Sequence, residues 1–441
     1  MNLRAFQWTH RDLVWPSFAW FFCILGGYYV IRPVREAMGV ASGKDSLNWL
    51  FLATFVAMII AVPIYAWLVA KLPRKRLVAV IYHFFAINLL LFWWLFQNDS
   101  EVVKLWVARA FFVWTSVFSL YATSVFWSVL ADVFNSQNAK QAFGFIAAGG
   151  TIGAIAGSIT ASFLASRLET HHLLLVPIVL LELGLIFAAY LHRRATRDPL
   201  VHGDIPGDAR ERDSGQSKEQ NNEGQPTGGG VIDGVVRVAR SPYLLAICLS
   251  LFLGQLCATH IYLQQATIVG DAIPDSAGRT KLFADMNLYV QILTLVLQTS
   301  IAGLLTKRIG LAVALAATPI AYTIAFATLG VSPSLGVFVI ADVIRRGLAY
   351  GVAVPAREIL FTVVSRDDKY KSKGFIDTVI LRGGDAISSQ ILAGAGYLIA
   401  SAAIIQLAMV PIAGVWVAIN LRLARWQRSL VHDTAPDQQV R

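Results

Sequence analysis

The residues of this sequence best suited to chemistry are charged side chains placed inside long apolar stretches. A charge surrounded by apolar groups is costly to bury, so it normally faces a cavity or a partner. Arginines outnumber acids in two of these stretches, 104–131 and 335–364. Because guanidinium stays charged and offers a planar fork of donors that fits phosphate and carboxylate oxygens, several arginines around one cavity predict an anionic ligand.

Two sets of candidate site residues follow. The candidate ligand contacts are arginines in the apolar stretches together with aromatic and imidazole side chains: Arg32, Arg109, Arg345, Arg346, His260, Tyr28 and Tyr29. The candidates for gating or coupling are other charged residues in or beside the same stretches: Arg35, Glu36, Glu182, Asp342, Arg357, Glu358, Arg382 and Asp385. The tyrosines could line the path of a ligand or stack on a ring, although ordinary packing explains them equally well.

The elements that hold these residues are long enough to cross a bilayer. A hydrocarbon core about 30 Å thick needs about 20 mainly apolar residues in helical form, and the stretch 46–70 has no charged side chain at all. With 56% hydrophobic residues and a mean hydropathy of +0.59, the chain lies outside the range of soluble globular proteins. Uninterrupted apolar runs exclude a membrane barrel, so we predict an all-α polytopic membrane protein of about 12 helices.

The predicted membrane spans have approximate bounds. They are 12–31, 46–70, 77–97, 104–131, 142–166, 172–191, 243–269, 287–306, 309–331, 335–364, 383–401 and 402–422. Arg32, Arg35 and Glu36 therefore close the first span at its external end, and 270–286 is the longest external loop. Lysine and arginine collect in alternate connections, which places both termini in the cytoplasm by the positive-inside rule.

Several site residues have competing interpretations. The arginines could instead form structural ion pairs with the acids or extend from helix ends to lipid head groups. Adjacent helical side chains point about 100° apart, so we expect only one of Arg345 and Arg346, with Arg345 preferred, to face the site. Glu182 is the lone acid of its span and is either a proton carrier or a static hydrogen-bond partner. His260 either orients a polar ligand or has a structural role.

A polar segment divides the chain. Residues 198–230 are rich in Gly, Asp, Glu, Gln and Ser and cannot bury enough apolar surface to offset the entropy of ordering, which predicts a disordered cytoplasmic linker. A weak parallel repeat supports the division, since Lys140 before Gly149-Gly150 is echoed by Lys373 before Gly383-Gly384. The predicted organisation is an N-terminal six-helix bundle (1–197), a linker (198–240), a C-terminal six-helix bundle (241–425) and a cytoplasmic tail (426–441), as in major-facilitator architectures.

The motifs that are missing restrict the function. No GxxxxGK[ST] phosphate loop occurs, so the sequence gives no basis for an ATP-hydrolysing pump, and the glycines of FGFIAAGGTIGAIAGSITAS predict a helix-packing face. No HExxH, GxSxG or Cys/His cluster occurs, and Cys23, Cys248 and Cys257 fall inside spans as packing residues. We therefore expect no enzyme, cofactor or metal site. The net charge of +10 reflects loop positions rather than a nucleic-acid partner.

Three segments carry a family resemblance: FFCILGGYYVIRPVREAMG, FWSVLADVFNSQNAKQAFGFIAAGG and REILFTVVSRDDKYKSKGFIDTVILRGG. They resemble the nucleotide (ATP/ADP) translocases of obligate intracellular bacteria and plastids and their bacterial relatives, which are grouped with the major facilitators. The resemblance implies a twelve-helix carrier of phosphorylated anions, with Lys371, Lys373 and Asp377 in gating or coupling roles. That family's exchangers typically carry a lysine in the second helix and a glutamate in the fourth. This chain has neither, which favours a relative with another anionic cargo.

The sequence thus predicts a secondary transporter that moves a small anionic, phosphorylated or nucleotide-like solute across the bacterial inner membrane by alternating access, with antiport or a gradient as the driving force. One alternative is a lipid translocase or scramblase that binds anionic head groups, which requires a lateral opening between helices. The other is a non-transporting scaffold or receptor, in which neutralising Arg109 and Arg345 leaves function intact.

Overall fold

The computed structural model describes residues 11–134, 136–195, 238–301, 310–364, 372, 376, 380–398 and 401–434, and the regular elements of this part of the chain are helical. The main helices are α1 (Arg11–Ala41), α2 (Lys44–Lys71), α3 (Arg74–Leu95), α4 (Glu101–Val133), α5 (Ser136–Ala165), α6 (Leu175–Ala195), α7 (Pro242–Ala272), α8 (Ser276–Ile301), α9 (Gly310–Val331), α10 (335–360), α11 (Leu381–Leu398) and α12 (Ala402–Thr434). A 3-10 turn, Thr170–Leu174, precedes α6. Helix α10 consists of Leu335–Leu348, a π-helical turn at Ala349–Ala353, and Val354–Leu360.

Ten of the described helical segments are long and apolar enough to cross a membrane. The other two long elements are α10, which carries several charges, and α11, of which 18 residues are described. Large apolar side chains point outward, since Trp67, Ile87 and Ile186 are 59%, 65% and 63% exposed. Such exposure is expected where lipid replaces water as the surroundings. The predicted all-α polytopic membrane fold is confirmed.

By chain order we divide the helices into an N-terminal group (α1–α6) and a C-terminal group (α7–α12). In the first, α1 packs against α5 and α6, and in the second, α9 packs against α12. The groups meet where α8 contacts α1 and α5 and where α2 contacts α11. A cavity enclosed between the groups is therefore lined by helices from both.

Small residues allow α1 and α5 to approach closely. A Cβ atom on Gly153 would overlap the backbone carbonyl of Phe22, and one on Gly157 would overlap that of Gly26. Only glycine fits at such backbone-to-backbone contacts, which replace the hydrophobic effect as the cause of helix association in a membrane. The predicted packing face in this segment is confirmed.

Two predicted helix boundaries are wrong. Helix α1 continues to Ala41, so Arg32, Arg35 and Glu36 lie within it rather than at its external end. Helix α8 begins at Ser276, which removes most of the predicted loop 270–286. In both cases charged residues suggested a helix end, but they have partners inside the protein and the helix can continue. Asp285, for example, accepts hydrogen bonds from Lys281, at 2.7 Å, and from Ser162 of α5.

Some predictions concern residues outside the described part of the chain. These are the linker at 198–230, Lys371, Lys373 and Asp377, and the side chain of Arg382. Helix α12 continues to Thr434, beyond the predicted start of the tail at residue 426. The three cysteines are buried and unpaired, in agreement with their predicted packing role.

Candidate functional site

A central cavity of about 300 Å³ lies between the two helix groups and is rich in charged side chains. Helices α1 and α10 supply most of them, from opposite groups. The predicted residues that line it are Tyr28, Arg32, Arg35, Glu36, Asp342, Arg345, Arg346 and Asp385. The structure thus brings arginines that are about 300 residues apart in sequence into one shared chamber.

On α1, two arginines share one carboxylate, and we call Arg32, Arg35 and Glu36 the α1 cluster. Arg35 Nη1 lies 3.3 Å from Glu36 Oε1, and Arg32 Nε lies 3.9 Å from the same atom. Arg35 also donates to the Phe112 carbonyl at 3.2 Å, and its guanidinium lies 3.9 Å from the centre of the Phe112 ring. Glu36 accepts a further hydrogen bond from Gln265 of α7 at 3.3 Å, which links the two helix groups.

The α10 cluster has the same composition: Asp342 pairs with both Arg345 and Arg346. Arg346 Nη1 lies 3.2 Å from Asp342 Oδ2, while Arg345 contacts the other carboxylate oxygen. Arg345 also donates to the Tyr322 hydroxyl at 2.7 Å, and Arg346 donates to Asn287 Oδ1 at 2.5 Å. Asp342 precedes the two arginines by three and four residues, a spacing that places them on neighbouring helix faces.

The expectation that only one of Arg345 and Arg346 faces the site is wrong. Both line the central cavity. The 100° separation applies to the Cα–Cβ directions, but an arginine has a long flexible stem, and the shared Asp342 draws both guanidinium groups to one side.

The central cavity combines surplus positive charge with unused hydrogen-bond donors. Its described lining contains four arginines and three carboxylates, the third being Asp385, which accepts from Gln255 at 2.8 Å. One carboxylate compensates only one charge of each arginine pair. In the described lining of this cavity, Tyr262 Oη, Arg345 Nε, Arg346 Nε and Asn287 Nδ2 are buried without a hydrogen-bond partner. Buried donors without partners are costly, so the site is suited to a ligand that brings acceptor oxygens.

Tyr350 is a site residue that the sequence reasoning missed. It lies in the π-helical turn of α10, lines the central cavity, and is 39% exposed although it sits in mid-helix. Single π turns often occur at functional sites because the extra residue changes the direction of the following side chains. The closely spaced Gly347, Gly351 and Pro355 were the available signal, because such residues favour irregular helix geometry.

Two predicted ligand contacts lie elsewhere. Arg109 on α4 is absent from the described lining of the central cavity; it donates to Ser46 Oγ at 2.8 Å and lies 4.9 Å from the centre of the Trp106 ring. His260 is buried, with its Nε2 atom 2.5 Å from Gln406 Oε1, and it lines a separate cavity of about 430 Å³. The structure therefore does not bring Arg109 and His260 together with the other arginines, and each side chain has a local partner in its own helix group.

The remaining candidates lie around the cavity rather than in it. The Tyr29 hydroxyl accepts from Gln291 at 2.5 Å and from Arg32 at 3.4 Å, just behind the lining. Glu182 lies 3.5 Å from His83 Nε2 on the outer side of α3 and α6. Arg357 lines an adjoining crevice of the C-terminal group, and Glu358 follows it near the end of α10.

Within the described part of the chain, several hydrogen bonds between the helix groups lie at one end of the molecule, which we call the closed end. It comprises the ends of α1, α5 and α7, the starts of α2 and α8, the turn Thr170–Leu174 and the part of α11 near Gln390. Thr170 Oγ1 donates to Ser276 Oγ at 3.4 Å, and Gln390 Nε2 donates to the Asn48 carbonyl at 3.1 Å. The Glu36–Gln265 bond lies just beneath these contacts. The central cavity is therefore sealed by contacts between the groups at this end.

Comparison with known proteins places this architecture in a family. The family model described as Major Facilitator Superfamily matches residues 15–370. The ADP,ATP carrier protein 1 of Chlamydia pneumoniae is 20% identical over 96% of this chain and 93% of that protein. The structure is similar to that of the nucleoside transporter NupG (TM-score 0.60, 15% identity, covering 98% of this chain and 99% of that one). It is also similar to the xylose transporter XylE from E. coli in an inward open conformation (TM-score 0.57, 12% identity, covering 94% and 95%).

Proposed function

This chain belongs to the Major Facilitator Superfamily, and we propose that it is a secondary transporter of an anionic, phosphorylated or nucleotide-like solute in the bacterial inner membrane. The family and its structural neighbours are transporters, not enzymes. The observation that supports an anionic substrate is the pair of clusters on α1 and α10, each with two arginines for one carboxylate around one cavity.

The physical reason is charge compensation. A guest with a phosphate or carboxylate group compensates the surplus positive charge of the lining and accepts from the unused donors of Arg345 and Arg346. At an effective dielectric constant of about 20, one favourable pair of unit charges about 4 Å apart contributes about 4 kcal/mol. A neutral guest leaves this attraction unused, so the site favours anions.

The arrangement also fits alternating access. The two clusters belong to different helix groups, so an anion bound between them attracts both groups and favours an occluded state. With both termini in the cytoplasm, the closed end is external and the central cavity opens towards the cytoplasm. The inward open conformation of XylE, a structure of similar fold, agrees with this assignment.

Uptake by purified protein in liposomes tests the proposal. Labelled nucleotides, phosphate esters and organic acids are offered with and without the same compound inside, and initial rates are measured. We expect at least one anion to be exchanged. Arg346→Gln removes one charge-assisted contact of about 1.5–3 kcal/mol and should weaken apparent affinity at least about tenfold. Arg109→Gln is the matched control, because Arg109 bonds Ser46 outside the cavity lining and should leave uptake unchanged.

Two outcomes contradict the proposal. If no anion is taken up in any of these arrangements, the proposal that the protein transports anions is wrong. If Arg109→Gln and Arg346→Gln reduce uptake equally, the central cavity is not the binding site. A fluorescent-lipid flipping measurement on the same liposomes separates the lipid translocase alternative, which predicts lipid movement without anion uptake.

A further inference from the structure

A second cavity, which we call the C-terminal crevice, adjoins the central cavity. It has a volume of about 270 Å³ and is lined by residues of α7, α9, α10, α11 and α12. Ala258, Arg345, Arg346 and Tyr350 line both cavities. A ligand whose charged group lies at the α10 cluster can therefore extend into this crevice without leaving the arginines.

Three polar side chains in the wall of the crevice, Ser250, Trp416 and Asn420, are paired with each other. Trp416 Nε1 donates to Ser250 Oγ at 3.0 Å, and Ser250 Oγ donates to Asn420 Oδ1 at 2.5 Å. Asn420 Nδ2 completes the chain by donating to the Leu315 carbonyl at 2.7 Å. The wall therefore offers mainly apolar and aromatic surface, including Leu251 and Trp416.

One buried group shows that the crevice is more than a packing gap. Thr318 is only 3% exposed, and within the described part of the chain its hydroxyl oxygen has no hydrogen-bond partner. Thr318 lines the crevice, as does Arg345, whose Nε atom is also without a partner. Arg346 Nε is a third such atom. Buried polar atoms are normally satisfied, so three unsatisfied groups in one wall indicate a site that is completed by a ligand.

We infer that the C-terminal crevice binds the uncharged body of the substrate, so that the transported anion is amphipathic. Its charged group lies at Arg345 and Arg346, and an aryl or alkyl body lies against Trp416 and Leu251. The inference rests on the proposed anion transport, and it distinguishes a substituted organic anion from inorganic phosphate. Together the two cavities reach the size of a pocket for an organic ligand, which is about 300–1,000 Å³.

The test is a series of probes with one charged group and a growing body. Purified full-length protein in liposomes is offered inorganic phosphate, methyl phosphate and phenyl phosphate, and binding and uptake are measured for each. We expect apparent affinity to increase along the series, with phenyl phosphate at least about tenfold tighter than methyl phosphate, because only the ring fills the crevice. This comparison uses the unaltered protein and does not depend on the folding of a variant.

A variant then locates the effect. Ala353 lines the crevice, and Ala353→Phe should fill it and abolish the preference for phenyl phosphate over methyl phosphate. The matched control is Ala418→Phe, because Ala418 is exposed on α12 two residues from the buried Trp416. This control should keep the preference.

The outcomes separate the two proposals. If the three phosphates bind equally, or if Ala353→Phe keeps the preference, the substrate body is not held in the crevice and the inference is wrong while anion transport stands. If none of the phosphates binds while a labelled anion of another class is exchanged, this form of the inference is also wrong. If no anion of any class moves, the proposed function fails, and the inference fails with it.

Discussion

The arginine clusters on α1 and α10 have the same composition but different surroundings. The outer partners of the α10 cluster, Tyr322 and Asn287, come from α9 and α8, within the same helix group. In the α1 cluster, Glu36 instead accepts a hydrogen bond from Gln265 of the opposite group. Asp342 is almost fully buried, at 1% exposed, and Glu36 is 7% exposed. One cluster is built into its own group, whereas the other bridges the two groups.

This difference assigns distinct tasks to two similar sets of charges. An anion that attracts Arg32 and Arg35 competes with Glu36 for them and changes the contact between Glu36 and Gln265 near the closed end. The α10 cluster has no such link among the bonds described, so under the proposed anion transport we expect it to act as a fixed binding surface. A ligand can shift a conformational equilibrium only through differential contacts in the two states, and the α1 cluster is where such contacts exist.

The largest expected effect concerns the carboxylates. Asp342→Asn leaves two buried guanidinium groups without their counter-charge and should destabilise the protein by about 3 kcal/mol. Glu36→Gln should cost about 1 kcal/mol, because the amide oxygen still accepts from Gln265 and Arg35 keeps its bond to the Phe112 carbonyl. The arginine partners of Glu36 are also less buried than those of Asp342. Thermal unfolding of the purified variants in detergent measures both. Equal losses of stability would remove the distinction between a built-in cluster and a bridging one.

The second largest effect separates substrate affinity from the rate of exchange. Arg346→Gln should raise KM by about thirtyfold, corresponding to about 2 kcal/mol, and leave the maximal exchange rate nearly unchanged. Arg35→Gln should instead lower the maximal rate more than it raises KM, because Arg35 belongs to the cluster linked to closure. Exchange kinetics over a range of substrate concentrations separate the two parameters. The assignment of tasks is wrong if both variants change KM alone.

A smaller effect is expected when the link between the groups is cut. Gln265→Leu removes a hydrogen bond of about 1 kcal/mol, which should increase opening of the closed end about fivefold. The readout is thiol labelling of Thr170→Cys, at a position that contacts Ser276 across the closed end. The native cysteines are buried, which keeps background labelling low.

Gln298→Leu is the control for this experiment, since Gln298 donates to the Tyr350 carbonyl within its own helix group. Labelling should not increase in this variant. An equal increase in both variants would mean that loss of any side-chain amide hydrogen bond loosens the bundle, and the Glu36–Gln265 bond would have no special role.

Apolar patterning predicted most of the fold, whereas the site required partners that the sequence does not reveal. Apolar runs such as 46–70 predict the number of helices, because a backbone inside a membrane must satisfy its own hydrogen bonds and a helix does so within one segment. Arg32 and Arg345 were found because charges in such runs are rare. Arg109 also lies in such a run, yet it donates to Ser46 outside the cavity lining. A charge in an apolar run shows where a polar contact exists but not the direction in which the side chain points.

The errors in the site have a common physical cause. Charged residues at 32–36 and 279–285 suggested helix ends because the rule treats charge as exposure to water, whereas both sets have partners on neighbouring helices. Tyr350 was missed for the complementary reason. It is uncharged, and only the π-helical turn places it at the cavity.

The smallest effect is expected for a polar pair of side chains outside the cavity. Glu182 and His83 lie 3.5 Å apart on α6 and α3, and their side chains are 44% and 53% exposed on the outer side of the bundle. Glu182→Gln retains a hydrogen-bond partner for His83 and should change stability by less than about 0.5 kcal/mol. Exchange rates and their pH dependence should remain unchanged, because Glu182 contacts neither arginine cluster. Loss of proton-dependent uptake in this variant would instead identify Glu182 as a coupling residue. Coupling would then involve a charged residue outside both the α1 and α10 clusters.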